Sequence, residues 1–221
     1  MPPIKKVLSE VTLDLEKNAA LLLCVTRKWT IPFKNNTGLK VCELVLVDEE
    51  GKHIQATIPL QLIPMLEGKL EEGSLYAMVN FSVKENQGKW RPTSHPFRLC
   101  FTENTKILDQ MIEKHPAFQK NIYKLTEFSD IINYPDVETP DLLDVIGACH
   151  IKDNLFKSDD EGTSWCRFQI NNLQNIKIWC TLWGDYSAQF LRFLEVPRQN
   201  PFIVLLQLGR INKRFRTFNT Y

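Results

Sequence analysis

Aromatic side chains stand beside lysines and arginines at several separate places in this 221-residue sequence. Flat aromatic rings stack on nucleobases and cations bind phosphates, so this combination predicts a surface for single-stranded nucleic acid. The candidate binding residues form four groups: Phe33 and Lys34; Lys89, Trp90, Arg91 and Arg98; Trp183; and Arg210, Lys213, Arg214, Phe215 and Arg216.

Some aromatic residues of the sequence are expected to be buried, because a tryptophan in a small barrel is highly buried on average. We expect Trp90 to be exposed, since it follows a glycine and stands between a lysine and an arginine. Phe215, bracketed by cations, is expected on a binding face, and Trp183 is compatible with either environment. The tryptophans expected in the core are Trp29, Trp165 and Trp179.

The sequence contains no recognisable catalytic constellation. Its nine glycines are scattered singly, which excludes a phosphate-binding glycine loop, and the motifs of serine hydrolases and zinc proteases are absent. The six cysteines form no Cys-x-x-Cys pair and the four histidines lack ligand spacing, so we expect buried free thiols, no metal and no cofactor. The acidic run Asp159-Asp160-Glu161 lacks the spacing of a calcium loop and is expected to be a solvated loop. An enzyme is therefore disfavoured.

Composition is typical of a globular protein, with 43% hydrophobic and 24% charged residues, and the length favours two domains. No apolar run reaches the roughly 18 residues of a membrane-spanning helix, and the N-terminal residues do not resemble a secretion signal. We therefore expect no membrane association. The net charge is only +1, but residues 143–221 carry ten Lys/Arg against seven Asp/Glu, and the excess lies near the C-terminus.

The first domain is predicted over residues 1–105. Short β-branched and aromatic segments separated by turn residues predict strands, and a helix-like segment follows the third of them at residues 59–66. Five strands with a helix between the third and fourth is the order of an OB-fold, a five-stranded Greek-key barrel. The predicted strands are 20–30, 39–47, 53–58, 75–83 and 90–101.

The same order returns in a second predicted domain, residues 142–221, after a partly ordered linker at 106–141 that contains a helical turn at 107–112. When the two halves are superimposed at an offset of 124 residues, Ile54–Ile58 falls on Ile178–Leu182. The predicted strands of this half are 142–151, 165–171, 176–183, 202–208 and 210–218, with a helix at 185–194 and a polar loop at 152–163. The sequence therefore predicts an all-β protein of two tandem OB folds.

Several motifs resemble a known family. They are Leu142-Leu-Asp-Val-Ile-Gly147, Cys180-Thr-Leu-Trp-Gly184, Leu44-Val-Leu-Val-Asp48 and Ile54-Gln-Ala-Thr57, together with Lys28-Trp29, Asn80-Phe81 and Arg91-Pro-Thr-Ser-His-Pro-Phe97. Over nearly the whole chain the sequence resembles the large subunit of replication protein A, in its plant-type branch, and in particular the two central single-stranded-DNA-binding OB domains. The resemblance implies that bases stack on Trp90 and Phe33 in the first domain and on Trp183 and Phe215 in the second, with Arg210 as a basic contact.

The sequence departs from that family at two positions of the first domain. Pro59 stands where the family has a stacking aromatic residue, and Gln55 stands where it has an arginine. The family's N-terminal protein-docking domain and its zinc-bearing C-terminal OB domain are not in this sequence, which leaves assembly with other replication protein A-type subunits open.

The sequence thus favours a non-catalytic protein that binds single-stranded DNA with weak sequence preference over roughly 8–20 nucleotides. The resemblance implies roles in DNA replication, repair or recombination in the nucleus. Single-stranded RNA stays an alternative ligand, because stacking does not read the sugar. A protein-interaction module, or a truncated paralogue with weak nucleic-acid affinity, is the alternative function.

Overall fold

The computed structural model describes residues 2–32, 40–87, 91–110, 112–120, 123, 125–133, 142–150, 155–158, 164–197, 201–212 and 217–220. The chain divides into two compact units, Met1–Tyr123 and Lys124–Tyr221. Each unit has its own β-sheet and its own apolar core.

The first unit is a curled sheet with strand order β6-β7-β4-β3-β2-β5-β8, and β1 lies beside β2 in parallel. β5 pairs with β2, whereas β6 pairs with β7 at the other end of the strand order. Only Asn80 and Phe81 separate β5 from β6 in the sequence, so the sheet must curl back on itself. Leu23, Leu44 and Ile54 are fully buried inside it. Its elements are β1 (Ile4–Lys6), β2 (Ala19–Pro32), β3 (Lys40–Val47), β4 (His53–Ile58), α1 (Ile63–Leu66), β5 (Leu75–Val79), β6 (Ser82–Glu85), β7 (Phe97–Cys100), β8 (Lys106–Gln110) and α2 (Pro116–Lys120).

The second unit is a closed barrel of five strands in the order β9-β11-β12-β14-β13, with β13 returning to β9 and a short β10 added outside β11. Phe168 and Phe218 fill its core, and Phe190 of α4 stacks on Phe168 with 4.2 Å between ring centroids. Its elements are α3 (Phe128–Ile132), β9 (Leu143–Cys149), β10 (Phe156–Ser158), β11 (Trp165–Asn171), β12 (Lys177–Trp183), α4 (Gly184–Glu195), β13 (Phe202–Asn212) and β14 (Thr217–Thr220).

The turn between the second and third barrel strands is built in the same way in both units. In the first unit the Asp48 carboxylate accepts hydrogen bonds from the amides of Glu50 and Lys52, at 3.0 and 2.9 Å. In the second unit the Asn172 side-chain oxygen accepts from the amides two and four residues later, at 3.1 and 2.9 Å. Residues 48 and 172 are 124 positions apart, so the structure extends the sequence repeat and confirms the prediction of two OB folds.

Some predicted boundaries were wrong. Residues 107–112 were expected to be helical, but Lys106–Gln110 form β8 along β5, because so short a segment cannot sustain a helix while the edge of β5 offers backbone partners. Of the strand expected at 90–101, the described residues 91–101 form a strand only at Phe97–Cys100, since Pro92 and Pro96 cannot donate backbone hydrogen bonds. The strands expected at 202–208 and 210–218 are one long β13 and a short β14.

The expected linker contributes to both cores. Within 106–141, the side chain of Phe118 packs with Cys24, Val47 and Leu75 of the first unit. Phe128 and Ile131 of α3 lie in the core of the second unit. The domain bounds 1–105, 106–141 and 142–221 stay a prediction.

Candidate nucleic-acid interface

The hairpin of β11 and β12 has two faces of different chemistry. Its inward residues are Cys166, Phe168, Ile170, Ile178, Cys180 and Leu182, all buried in the barrel core. Since successive side chains of a strand alternate, the remaining residues face outward. These two strands are the second and third of the barrel, whose outer face is where OB folds bind oligonucleotides.

At the end of the hairpin that leads into α4, and on the neighbouring β10, aromatic residues and one arginine occupy outward positions. We call Phe156, Trp165, Arg167, Trp179 and Trp183 the aromatic face. Trp165 lies directly opposite Trp183 in the strand register, and their ring centroids are 6.3 Å apart at an interplanar angle of 45°. A second aromatic pair lies toward the start of β12, four residues before Trp183, which is roughly 13 Å along the strand.

Phe156 on β10 and Trp179 on β12 form this second pair. Their ring centroids are 5.7 Å apart with an angle of 51° between the rings. Phe156 is 53% exposed. The two pairs therefore present tilted aromatic surfaces to the solvent.

Arg167 lies between the two aromatic pairs. In the register it pairs with Thr181 on one side and with Phe156 on the other. Its guanidinium carbon is 5.7 Å from the centroid of the Trp165 ring, and Nε donates to the Thr181 hydroxyl at 3.1 Å. A cation is thus held at the centre of the aromatic face, where it can meet a phosphate that links two stacked bases.

The strand ends immediately after Trp183 because Gly184 has a φ of +54°, a left-handed conformation that glycine adopts readily. The Gly184 amide donates to the Ser164 carbonyl at 2.8 Å, which ties the start of α4 to the residue before β11. Trp183 also lines an open cavity of about 430 Å³ with Tyr186 and Gln189. The aromatic face continues into this cavity.

The corresponding face of the first unit is organised around a carboxylate. Glu43 on β3 is 5% exposed, and it accepts hydrogen bonds from Gln55 Nε2 at 2.9 Å and from the Thr57 hydroxyl at 3.0 Å. Arg98 Nη2 on β7 donates to Glu43 at 2.9 Å in an ion pair and also to the Thr57 hydroxyl. We call these four residues the Glu43 network.

Four of the residues predicted from the sequence lie in the described part of the chain, two in each unit. Trp183 lies on the aromatic face, whereas Arg98 belongs to the Glu43 network. Arg91 is half-buried, and its Nε has no hydrogen-bond partner among the described residues. Arg210 lies on β13 opposite Asn219. The others lie outside the described residues: Phe33, Lys34, Lys89, Trp90, Lys213, Arg214, Phe215 and Arg216.

Sequence reasoning missed most of the aromatic face. Trp165 and Trp179 were predicted in the core, which was wrong because smaller side chains fill the inward positions and both indoles are half-buried on the outer face. Trp29 is also half-buried, opposite Glu43 on the outer face of β2. Phe156 lies in a segment expected to be a polar loop. The strict alternation of apolar residues along 165–171 was the signal that places Trp165 and Arg167 outside.

The cysteines behave as predicted for buried thiols. All six are free and all except Cys100 are buried. Burial raises the pKa of the Cys149 thiol to about 12, so this group stays protonated and unreactive at neutral pH. Within the described residues no cluster of three or more His, Cys, Asp or Glu side chains could hold a metal ion. None of the described helices is long and apolar enough to cross a membrane.

Comparison with known proteins gives a family match over the first half of the chain and a relative over most of it. Residues 15–134 match the family described as "Domain of unknown function DUF223". The chain is 21% identical over 161 residues to a replication protein A 70 kDa DNA-binding subunit of Oryza sativa subsp. japonica. That match covers 72% of this chain but only 17% of the rice protein.

A solved structure of a replication protein A heterotrimer bound to single-stranded DNA has the same fold. It superimposes with a TM-score of 0.63 over 96% of this chain, at 16% sequence identity, and this chain covers 49% of the matched one. The chain is therefore similar to replication protein A in its OB domains, and it spans about half of that structural neighbour.

Proposed function

The chain belongs to the DUF223 family, and from its fold and its aromatic face we propose that it is a non-catalytic protein that binds single-stranded DNA. The rice relative is named as a DNA-binding subunit, and the structural neighbour holds single-stranded DNA. Both support the proposal, which concerns the described OB folds and not the whole length of those proteins.

The observation that carries the proposal is the aromatic face itself. Trp165, Trp179 and Trp183 lie on the outer face of the two strands that OB folds use for oligonucleotides, and the Phe156 ring contacts Trp179 from the adjacent β10. Exposed aromatic side chains cost hydration free energy, so a stacking partner explains their position. Because every base has a flat face, binding by stacking tolerates most sequences.

Phosphate contacts complete the proposed interface. Arg167 supplies a cation at the centre of the face. The further proposed contacts in the second barrel are the basic residues predicted from its sequence, Arg210, Lys213, Arg214 and Arg216, with Phe215 as an additional stacking ring. In the first unit the proposed phosphate contacts are Lys34, Lys89 and Arg91, and the proposed stacking rings are Phe33 and Trp90.

We further propose that the protein acts in DNA replication, repair or recombination in the nucleus. This role requires that the chain bind single-stranded DNA with useful affinity, so it depends on the binding proposal. Partnership with other replication protein A-type subunits belongs to the same proposal.

The test is a titration of fluorescein-labelled oligo-dT of about 20 nucleotides, followed by anisotropy, with duplex DNA and oligo-U as controls. We expect submicromolar binding of oligo-dT and much weaker binding of the duplex. Repeating the titration at about 50 mM and about 200 mM salt should show a linear fall of log affinity with log salt. Tighter binding of oligo-U than of oligo-dT would identify RNA as the ligand.

A second candidate function is a protein-interaction module with weak nucleic-acid affinity. The Glu43 network favours it for the first unit, because the ion pair with Glu43 occupies Arg98, a cation that would otherwise be available to a phosphate. Binding of oligo-dT weaker than tens of micromolar, with no dependence on salt, would contradict the single-stranded-DNA proposal and support this second function.

A further inference from the structure

A small polar pocket lies at the hairpin end of the aromatic face. It has a volume of about 200 Å³ and is lined by His150, Gln169, Ile170, Asn171, Asn175 and Lys177. Gln169 is directly opposite Trp179 in the strand register, and Asn171 is opposite Lys177. The pocket therefore begins where the last indole of the aromatic face ends.

The polar groups of this pocket are available to a ligand. Among the described residues, the structure gives no hydrogen bond to the side chains of Gln169, Asn171 or Lys177. Gln169 and Asn171 are nevertheless half-buried. None of their side-chain nitrogen or oxygen atoms is both buried and without a partner, so these atoms reach water. A ligand would replace that water as their hydrogen-bond partner.

Among the lining groups, the ammonium of Lys177 distinguishes one base edge from another. The ammonium of Lys177 has three donors and no acceptor, and the amides of Gln169 and Asn171 each add donors and an acceptor. Guanine presents two adjacent acceptors, O6 and N7, which lysine and other donors recognise. Adenine places an amino donor beside N7, and a glutamine or asparagine amide can pair with both groups. An ammonium group has no acceptor for that amino donor, so the preference for guanine over adenine depends on Lys177.

We propose that this pocket reads the edge of a guanine base whose ring stacks on Trp179. The inference rests on the proposed function and adds a base preference to it. A strand bound along the aromatic face would then be held in one register, with guanine at the hairpin end and any base at the other positions.

The test uses the full chain and dT oligomers of about ten nucleotides. One dG is placed at each position in turn, and a matched series carries dA, which corrects for the stronger stacking of purines. We expect dG at one position to bind at least about fivefold more tightly than dA at the same position. The Lys177→Ala variant should bring this dG/dA ratio close to one.

The control is Gln174→Ala, a change of an exposed side chain in the turn of the same hairpin, outside the pocket. It should leave the dG/dA ratio unchanged. If Lys177 contacts only a phosphate, Lys177→Ala weakens all oligomers alike and the ratio persists, which overturns the inference. Equal affinity for dG and dA in the unaltered protein also overturns it while leaving the proposed function intact. If the parent dT oligomer does not bind, the proposed function fails as well.

Discussion

The second and third barrel strands carry opposite charge in the two units at the same structural position. Glu43 in the first unit and Arg167 in the second are 124 residues apart, and each hydrogen-bonds the threonine opposite it in the register, Thr57 or Thr181. The turns and the inward apolar residues of the two hairpins match. At this position the first hairpin therefore carries a carboxylate and the second hairpin carries a guanidinium.

The aromatic residues differ in the same way. At that offset Gln55 corresponds to Trp179 and Pro59 to Trp183. Both units can form a barrel with these different residues, because outward side chains do not enter the core. The fold therefore depends on the inward residues, whereas a few substitutions on the outer face decide what each unit can contact.

The largest expected effect concerns the stability of the first unit. Glu43→Ala leaves the partly buried Arg98 guanidinium without its carboxylate, and breaking a buried ion pair costs about 3–5 kcal/mol. We expect this loss in the free energy of unfolding of the first unit, measured in the full chain by hydrogen exchange of β4 and β7 under denaturant. The control Glu49→Ala removes an exposed ion pair with Lys5 and should cost less than about 1 kcal/mol. Equal costs for the two variants would show that the Glu43 network is not structural.

The next effect concerns binding by the second unit. The double variant Trp179→Gln and Trp183→Ala removes two stacking rings, each worth about 1–3 kcal/mol, so the affinity for oligo-dT should fall about a hundredfold. Trp29→Ala in the first unit should change that affinity by less than about threefold, since Trp29 lies opposite Glu43, which holds Arg98 in an ion pair and away from phosphate. Anisotropy titrations measure both. A comparable loss in Trp29→Ala would mean that the two faces bind alike.

The smallest effect is electrostatic. Arg167→Ala should weaken binding several-fold and reduce the slope of log affinity against log salt by about 0.7, the contribution of one phosphate contact on a single strand. Glu43→Gln in the first unit should leave the slope unchanged, because Glu43 is not among the proposed phosphate contacts of that unit. A steeper slope in Glu43→Gln would show that the first face binds DNA once its carboxylate is removed.

The fold was largely predictable because its signals are local. Short alternating segments, turn residues and a repeat at one offset indicated both barrels, and α4 was predicted over 185–194 and observed at Gly184–Glu195. The elements that were missed are short. β1 and β10 have three residues each, and both exist only because a neighbouring strand offers backbone hydrogen bonds.

The candidate site was harder to predict, because side-chain direction depends on register. Trp183 was identified through its motif, whereas Trp165 and Trp179 were assigned to the core from the general burial of tryptophan. Arg98 was predicted to contact phosphate, but its partner Glu43 is 55 residues away in the sequence. Nothing local in the sequence indicates that the two meet.

The two-faced hairpin of β11 and β12 has a consequence for how this region can vary in length. Inserting or deleting a single residue within either strand would turn its indoles into the barrel and its cysteines outward. A substitution on the outer face alters only the outer surface, but the insertion or deletion of one residue moves every following side chain of that strand to the opposite face. Variation among relatives should therefore be rich in substitutions here and almost free of length changes, with insertions confined to the turn at residues 172–175.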